Sequence, residues 1–80
     1  MSTEKVAGLG GRVRAARRDK HLTLAALAER AGVSKGYLST IENGKSEPTA
    51  SIIARLSEAL GVSCDWLILG PPPPPPVSAK

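Results

Sequence analysis

Lys5, Arg12, Arg14, Arg17, Arg18 and Lys20 put six cations into the first twenty residues, opposed only by Glu4 and Asp19. The other sixty residues hold five basic and five acidic side chains, so the net charge of +4 belongs to one end of the chain. An excess of this kind suits a polyanion partner. For Arg14 and Arg18 a solvated basic helix face explains the pattern equally well. The groups of catalysis are scarce. There is one histidine, His21, and one cysteine, Cys64, whereas hydrolytic or redox chemistry needs a nucleophile, base or metal held together. His21 reads as a solvated or capping residue at a helix end, and Cys64 as a small packing residue. The expectation is a protein without catalytic residues, metal or cofactor, and not an enzyme.

The elements that must position such cations are clearest in residues 23–44, TLAALAERAGVSKGYLSTIENG. Thr23 is an N-cap type, and Leu24, Leu27, Ala28 and Ala31 then share one helical face. Gly32 can take the left-handed conformation that ends a helix, after which Val33 packs back inward. Ser34 caps a second helix with the apolar stripe Leu38 and Ile41, and Asn43-Gly44 stops it. Ala28 is small enough for the two helices to cross closely. This is a helix-turn-helix, the unit that places its second helix in the DNA major groove.

Around this pair the 80 residues leave room for one domain. A chain so short buries only about 60% of its unfolded surface. With no Phe, and only Tyr37 and Trp66 as aromatics, Leu, Ile, Val and Ala must supply the packing. An all-α fold of five helices suits that inventory. The first helix runs from Leu9 to Lys20 with Leu9, Val13 and Ala16 inward, its start weakened by Gly10 and Gly11. Thr49 caps a fourth carrying Ile52, Ile53, Leu56 and Leu60 and ending at Gly61. Val62 returns to the core, and Ser63 caps a short fifth helix with Trp66, Leu67, Ile68 and Leu69 before Gly70. Trp66 is expected to anchor the core. Residues 1–8 read as a flexible N-terminal arm, 9–70 as the domain and 71–80 as a proline-rich tail. The uninterrupted prolines favour polyproline II, as a stiff solvated tail or linker stub, with a ligand for an aromatic groove as the sharper alternative.

A lone cysteine forms no internal disulfide, no apolar run approaches membrane-spanning length, and MSTEKVAGLGG lacks a signal-peptide apolar region. The expected location is the cytoplasm, associated with the nucleoid, with no membrane partner.

The pieces RVRAARRDKHLT, LAERAGVS, YLSTIENGKSEPT and LGVSCDWLILG, spanning Arg12 to Gly70, resemble the Xre family of transcriptional regulators, which contains the lambda-type phage repressors and Cro. The resemblance implies a compact five-helix, lambda-repressor-like bundle that binds two DNA half-sites as a dimer. It places Lys35, Tyr37, Ser39 and Thr40 on the base-reading face of the recognition helix. Lys35 has the chemistry to donate to guanine O6 and N7, and Ser39 and Thr40 suit polar or thymine-methyl contacts. It also places Thr23, Gly36, Asn43, Lys45 and Ser46 at the DNA backbone, and a buried ion pair at Arg17 and Glu42. There are departures. Leu24 stands where many relatives carry a phosphate-binding Gln, leaving Thr23 and the free N–H groups of the helix start for that phosphate. Gly36 removes a base-reading side chain, and Glu47 lowers the positive charge of the following loop.

The function these features suggest is a sequence-specific regulator of double-stranded DNA, a repressor that binds a palindromic operator as a homodimer. Leu67, Ile68 and Leu69 are too apolar a run to be buried on every side by one thin domain, so Cys64, Ile68 and Leu69 are the expected dimer interface. The alternative is an antitoxin, which binds a toxin or other protein partner and autoregulates its operon. A neighbouring toxin gene or a co-purifying small partner would separate the two.

Overall fold

Four of the helices start on a hydroxyl. Thr23, Ser34, Thr49 and Ser63 each sit in extended backbone just before a helix, and each side-chain oxygen accepts a backbone N–H three residues on, from Ala26, Tyr37, Ile52 and Trp66. Such a bond satisfies one of the orphan donors of a first turn. The computed structural model describes residues 8–70, and over them the chain forms five α-helices and no strand. They are α1 Leu9–Asp19, α2 Leu24–Ala31, α3 Lys35–Glu42, α4 Ala50–Leu60 and α5 Cys64–Leu69. The proline-rich tail, and the expected arm apart from Gly8, lie outside the described residues.

The helix ends reuse one device. After α2, Gly32 takes φ 74°, Gly32 N–H bonds to Glu29 O, and Val33 N–H bonds to Ala28 O. The paired bonds reverse the chain and return Val33 to the core. After α1 the same turn is made without glycine. His21 adopts φ 59°, His21 N–H bonds to Arg18 O, and Leu22 N–H bonds to Arg17 O.

The core is aliphatic. Val13 and Ala16 of α1, Leu27, Ala28 and Ala31 of α2, Leu38 and Ile41 of α3, Leu56 and Leu60 of α4, and Leu67 of α5 form one buried cluster. Each fully buried Leu or Ile contributes roughly 1.5–3 kcal/mol relative to exposure. Leu9, Leu24, Val33, Ile52, Ile53, Val62, Tyr37 and Trp66 pack against its edge. Trp66 packs on the core as expected but is only half-buried; the fully buried side chain of α5 is its neighbour Leu67. A helix of six residues shows the core one narrow face, and Leu67 occupies it.

Gly10 proves to be a packing residue. It is buried, and a Cβ built there would collide with the carbonyl oxygen of Ile41 and lie 2.8 Å from that of Glu42. The glycine lets the first turn of α1 press against the backbone at the end of α3. That contact fixes where α3 sits, and so carries the fold into the candidate site.

Candidate nucleic-acid interface

The site begins with α3, which is held from behind. Leu38 and Ile41 are buried at its inner face, while Lys35 and Gly36 are exposed on its first turn. Nothing lies within 4 Å of a Cβ built on Gly36, so the fold has no steric need for glycine there. Tyr37, Ser39 and Thr40 are half-buried. Tyr37 packs part of its ring on the core edge. Thr40 Oγ1 donates back to the Tyr37 carbonyl at 2.6 Å, which leaves its lone pairs and methyl group for any outside contact. Ser34 Oγ is occupied by the Tyr37 N–H at 3.0 Å, and Thr23 Oγ1 by the Ala26 N–H at 3.0 Å. Leu24, at the start of α2, packs on the core edge.

The end of α3 is closed by a tight reversal. Gly44 takes φ 74°, Gly44 N–H bonds to Ile41 O, and Lys45 N–H bonds to Thr40 O at 2.8 Å. Lys45 emerges exposed from this turn, and Ser46 is half-buried behind it. The expected contact residues on α3 and the loop after it therefore lie along one stretch from Lys35 to Ser46, with Thr23 at the start of α2.

Beneath that stretch lies a charged cluster. Glu42 is 6% exposed, and Arg17 Nε donates to its Oε2 at 2.7 Å while Arg17 Nη2 donates to Oε1 at 3.1 Å. Arg17 Nη1 also donates to the Leu22 carbonyl at 3.0 Å. The hydrogen bond that Arg17 donates to Glu42 raises the Arg17 pKa above its ordinary value, and the carboxylate charge adds to it against the opposing effect of burial. Arg14 approaches Glu42 from the other side, Nε to Oε1 at 3.3 Å, and its Nη2 donates to Asn43 Oδ1 at 2.8 Å. Asn43 Nδ2 in turn donates to Ser39 Oγ at 3.4 Å.

These partners revise the reading of the N-terminal cations. Arg12 Nε and Nη2 donate to the carbonyls of Leu67 and Ile68 at 2.9 and 2.8 Å, at the negative end of α5. With Arg14 and Arg17 at Glu42, three of the six serve the fold, although the Arg14 side chain stays 38% exposed and so is both partnered and in part solvated. Arg18 and Lys20 remain exposed, and Lys5 lies outside the described residues.

At the far end, Ile68 and Leu69 are 49% and 77% exposed, the large apolar side chains most open to solvent among the described residues. Cys64 does not join them: it is half-buried, and its thiol donates to Ser57 Oγ of α4 at 3.3 Å. Among the described residues, no group of three or more His, Cys, Asp or Glu gathers as a metal site, and no helix is long and apolar enough to cross a membrane.

A helix-turn-helix family model matches residues 13–67, and the chain belongs to that family of transcriptional regulators. Its all-α, five-helix arrangement is that of the lambda-repressor-like domains. By sequence it is 39% identical over 61 residues to the HTH-type transcriptional regulator SinR of Bacillus subtilis, covering 75% of this chain and 55% of SinR. It is 33% identical over 60 residues to the immunity repressor protein of Bacillus phage phi105, covering 75% and 42%. The chain therefore spans about half the length of these relatives. By structure it is similar to the P22 c2 repressor in complex with a synthetic operator, with a TM-score of 0.77 and 36% identity over 80% of this chain and 97% of that one. It is also similar to SinR, the master regulator for biofilm formation, in complex with DNA, with a TM-score of 0.70 and 40% identity over 74% and 95%.

Proposed function

We propose that this chain is a sequence-specific, duplex-DNA-binding transcriptional regulator, a repressor that binds two half-sites as a dimer. One observation carries the reading: the outer surface of α3 is left to solvent in a domain whose fold and sequence both match a repressor and a regulator solved on DNA. In this reading α3 enters the major groove from its N-terminal end. Lys35 donates to guanine O6 and N7, Tyr37 lays its exposed ring edge on a sugar or thymine methyl, and Ser39 and Thr40 give polar or methyl contacts. Gly36 lets the sugar-phosphate chain approach without a side chain between. Thr23 with the start of α2, Asn43, Lys45 and Ser46 hold phosphates and set the register.

The dimer face in this reading is Ile68 and Leu69, with Cys64 at most at its margin because its thiol is taken by Ser57. A closed two-fold pairs identical patches and would set two recognition helices about 34 Å apart, one turn of DNA. A regulator of this kind works in the cytoplasm on the nucleoid.

Selection of duplexes from a random pool, followed by sequencing, tests the proposal. An enriched motif repeated as a palindrome is the expected result, and its spacing reports the dimer. Failure to enrich any sequence near physiological salt would overturn it and bring forward the antitoxin alternative, whose main surface serves a protein partner.

A further inference from the structure

The cluster under α3 ends on its outer surface, and the polarity of that end is set by the chemistry of its partners. A guanidinium carries donors and no acceptor. The group that Arg14 Nη2 meets at 2.8 Å must therefore be Asn43 Oδ1, and the amide cannot be turned round without breaking the bond. Arg14 is itself fixed by Glu42, and Glu42 by two bonds from Arg17. Asn43 is exposed, so its amide would otherwise rotate freely and offer either its oxygen or its nitrogen. With Oδ1 turned toward Arg14, the Nδ2 edge faces the other way, one of its two hydrogens directed at Ser39 Oγ at 3.4 Å.

We propose that Arg14 is a positioning residue for DNA recognition: it fixes the flip of the Asn43 amide, turning Oδ1 toward itself and the Nδ2 edge away, and so favours a hydrogen-bond acceptor on the DNA at this corner of the interface. The proposal rests on the DNA-binding reading above. It adds a residue that touches no DNA itself, and it fixes the chemistry of a contact. Donors such as adenine N6 or cytosine N4 are disfavoured at this position, because they meet the Nδ2 donor edge or must share Oδ1 with the Arg14 guanidinium. The acceptor is a phosphate oxygen or the acceptor edge of a base. Holding the amide in place beforehand also removes a rotamer cost at the moment of binding.

The test is a double-mutant cycle on the selected duplex with Arg14→Lys, Asn43→Ala and both together. Lysine keeps a cation beside Glu42 but has no fork to span Glu42 and Asn43 at once. Thermal melts, with Arg14→Gln as a second variant, keep loss of fold separate from loss of contact. Arg14→Lys is expected to weaken binding roughly three- to tenfold, the range of one hydrogen bond, and to have no further effect once Asn43 is alanine. Phosphate-ethylation interference lost at one position in both single variants assigns the acceptor to the backbone. Preference lost at one base pair in both assigns it to a base edge. Losses that simply add in the double variant would overturn the role given to Arg14 while leaving DNA binding intact. A wild-type chain that binds no duplex would remove the DNA reading and this inference with it.

Discussion

Arg17 reaches Glu42 with two parallel hydrogen bonds, 2.7 and 3.1 Å, and so ties α1 to the last residue of α3. The carboxylate is nearly closed to solvent, with its side chain 3% exposed and that of Arg17 14% exposed. Removing one partner of such a pair leaves an uncompensated buried charge, so Glu42→Ala is expected to cost roughly 3–5 kcal/mol in denaturant unfolding. Arg17→Met with Glu42→Leu together should cost less than Glu42→Ala alone, because the buried Arg17 charge is removed with its partner and the Arg14 charge that remains is 38% exposed to water. The Arg17 pKa is raised in the folded state, so its share of stability is complete below the ordinary arginine value and is lost only as pH climbs past the raised one. Alkaline unfolding up to about pH 10 should therefore leave it untouched. A Glu42→Ala melt within error of wild type would contradict this role.

Two glycines in helices should respond to alanine with opposite signs. At Gly10 the new methyl would meet the carbonyls of Ile41 and Glu42, which are backbone and cannot rotate away. The clash should outweigh the roughly 1 kcal/mol of better helix propensity and give a net loss of about 1–3 kcal/mol. At Gly36 the methyl meets open space, so Gly36→Ala should raise stability by about 0.4–1 kcal/mol. In the proposed interface the same change should weaken DNA binding, since it fills a place where the backbone approaches. Thermal melts of the two variants, with a titration of the second, check both signs.

His21 holds φ 59°, a conformation that glycine adopts at little cost. His21→Gly is expected to stabilise the domain by about 1 kcal/mol, the scale of the left-handed penalty. The side chain is exposed, so nothing packed is lost. A destabilised variant in a chemical melt would show that the imidazole makes a contact of greater worth.

Ile68 and Leu69 should carry the proposed dimer. Leu69→Glu puts a charge on a side chain that is 77% exposed in the single chain, so the monomer's stability should stay within about 0.5 kcal/mol. Sedimentation should nevertheless shift toward monomer, and binding to a two-half-site duplex should lose its cooperativity. An unchanged sedimentation profile and unchanged cooperativity would exclude this face.

The legible parts of the fold were local. Thr23, Ser34, Thr49 and Ser63 each precede an apolar run of helical period, and the cap and its helix lie within a few residues, so the sequence alone carries the relationship. The partners of Arg12 and Arg14 lie 55 and 28 residues away, and a charge pattern along one helix leaves no trace of them. Gly10 shows the same limit. Read locally, Gly-Gly weakens a helix start, and only the crossing of α1 over the end of α3 turns it into a requirement. Trp66 was legible as a residue that packs on the core, but not its depth: a six-residue helix buries one position fully and Leu67 holds it. At the site, the inward stripe Leu38 and Ile41 followed from helical period, while the contact face was what the family resemblance implied. The bond from Thr40 to Tyr37 and the link from Arg14 to Asn43 depend on rotamers, which no spacing records.

The most direct measurement is the affinity of wild type, Lys35→Ala and Lys45→Ala for the selected duplex and for a scrambled one across a salt series. Lys35→Ala should cost roughly 1–3 kcal/mol on the selected duplex and relax the preference at one base pair. Lys45→Ala should weaken both duplexes alike and lower the salt slope by about one counterion. Both variants should melt as wild type does, because α3 is held from its other face by Leu38 and Ile41. Equal affinity of the wild-type chain for the selected and scrambled duplexes near physiological salt would contradict sequence-specific regulation through α3.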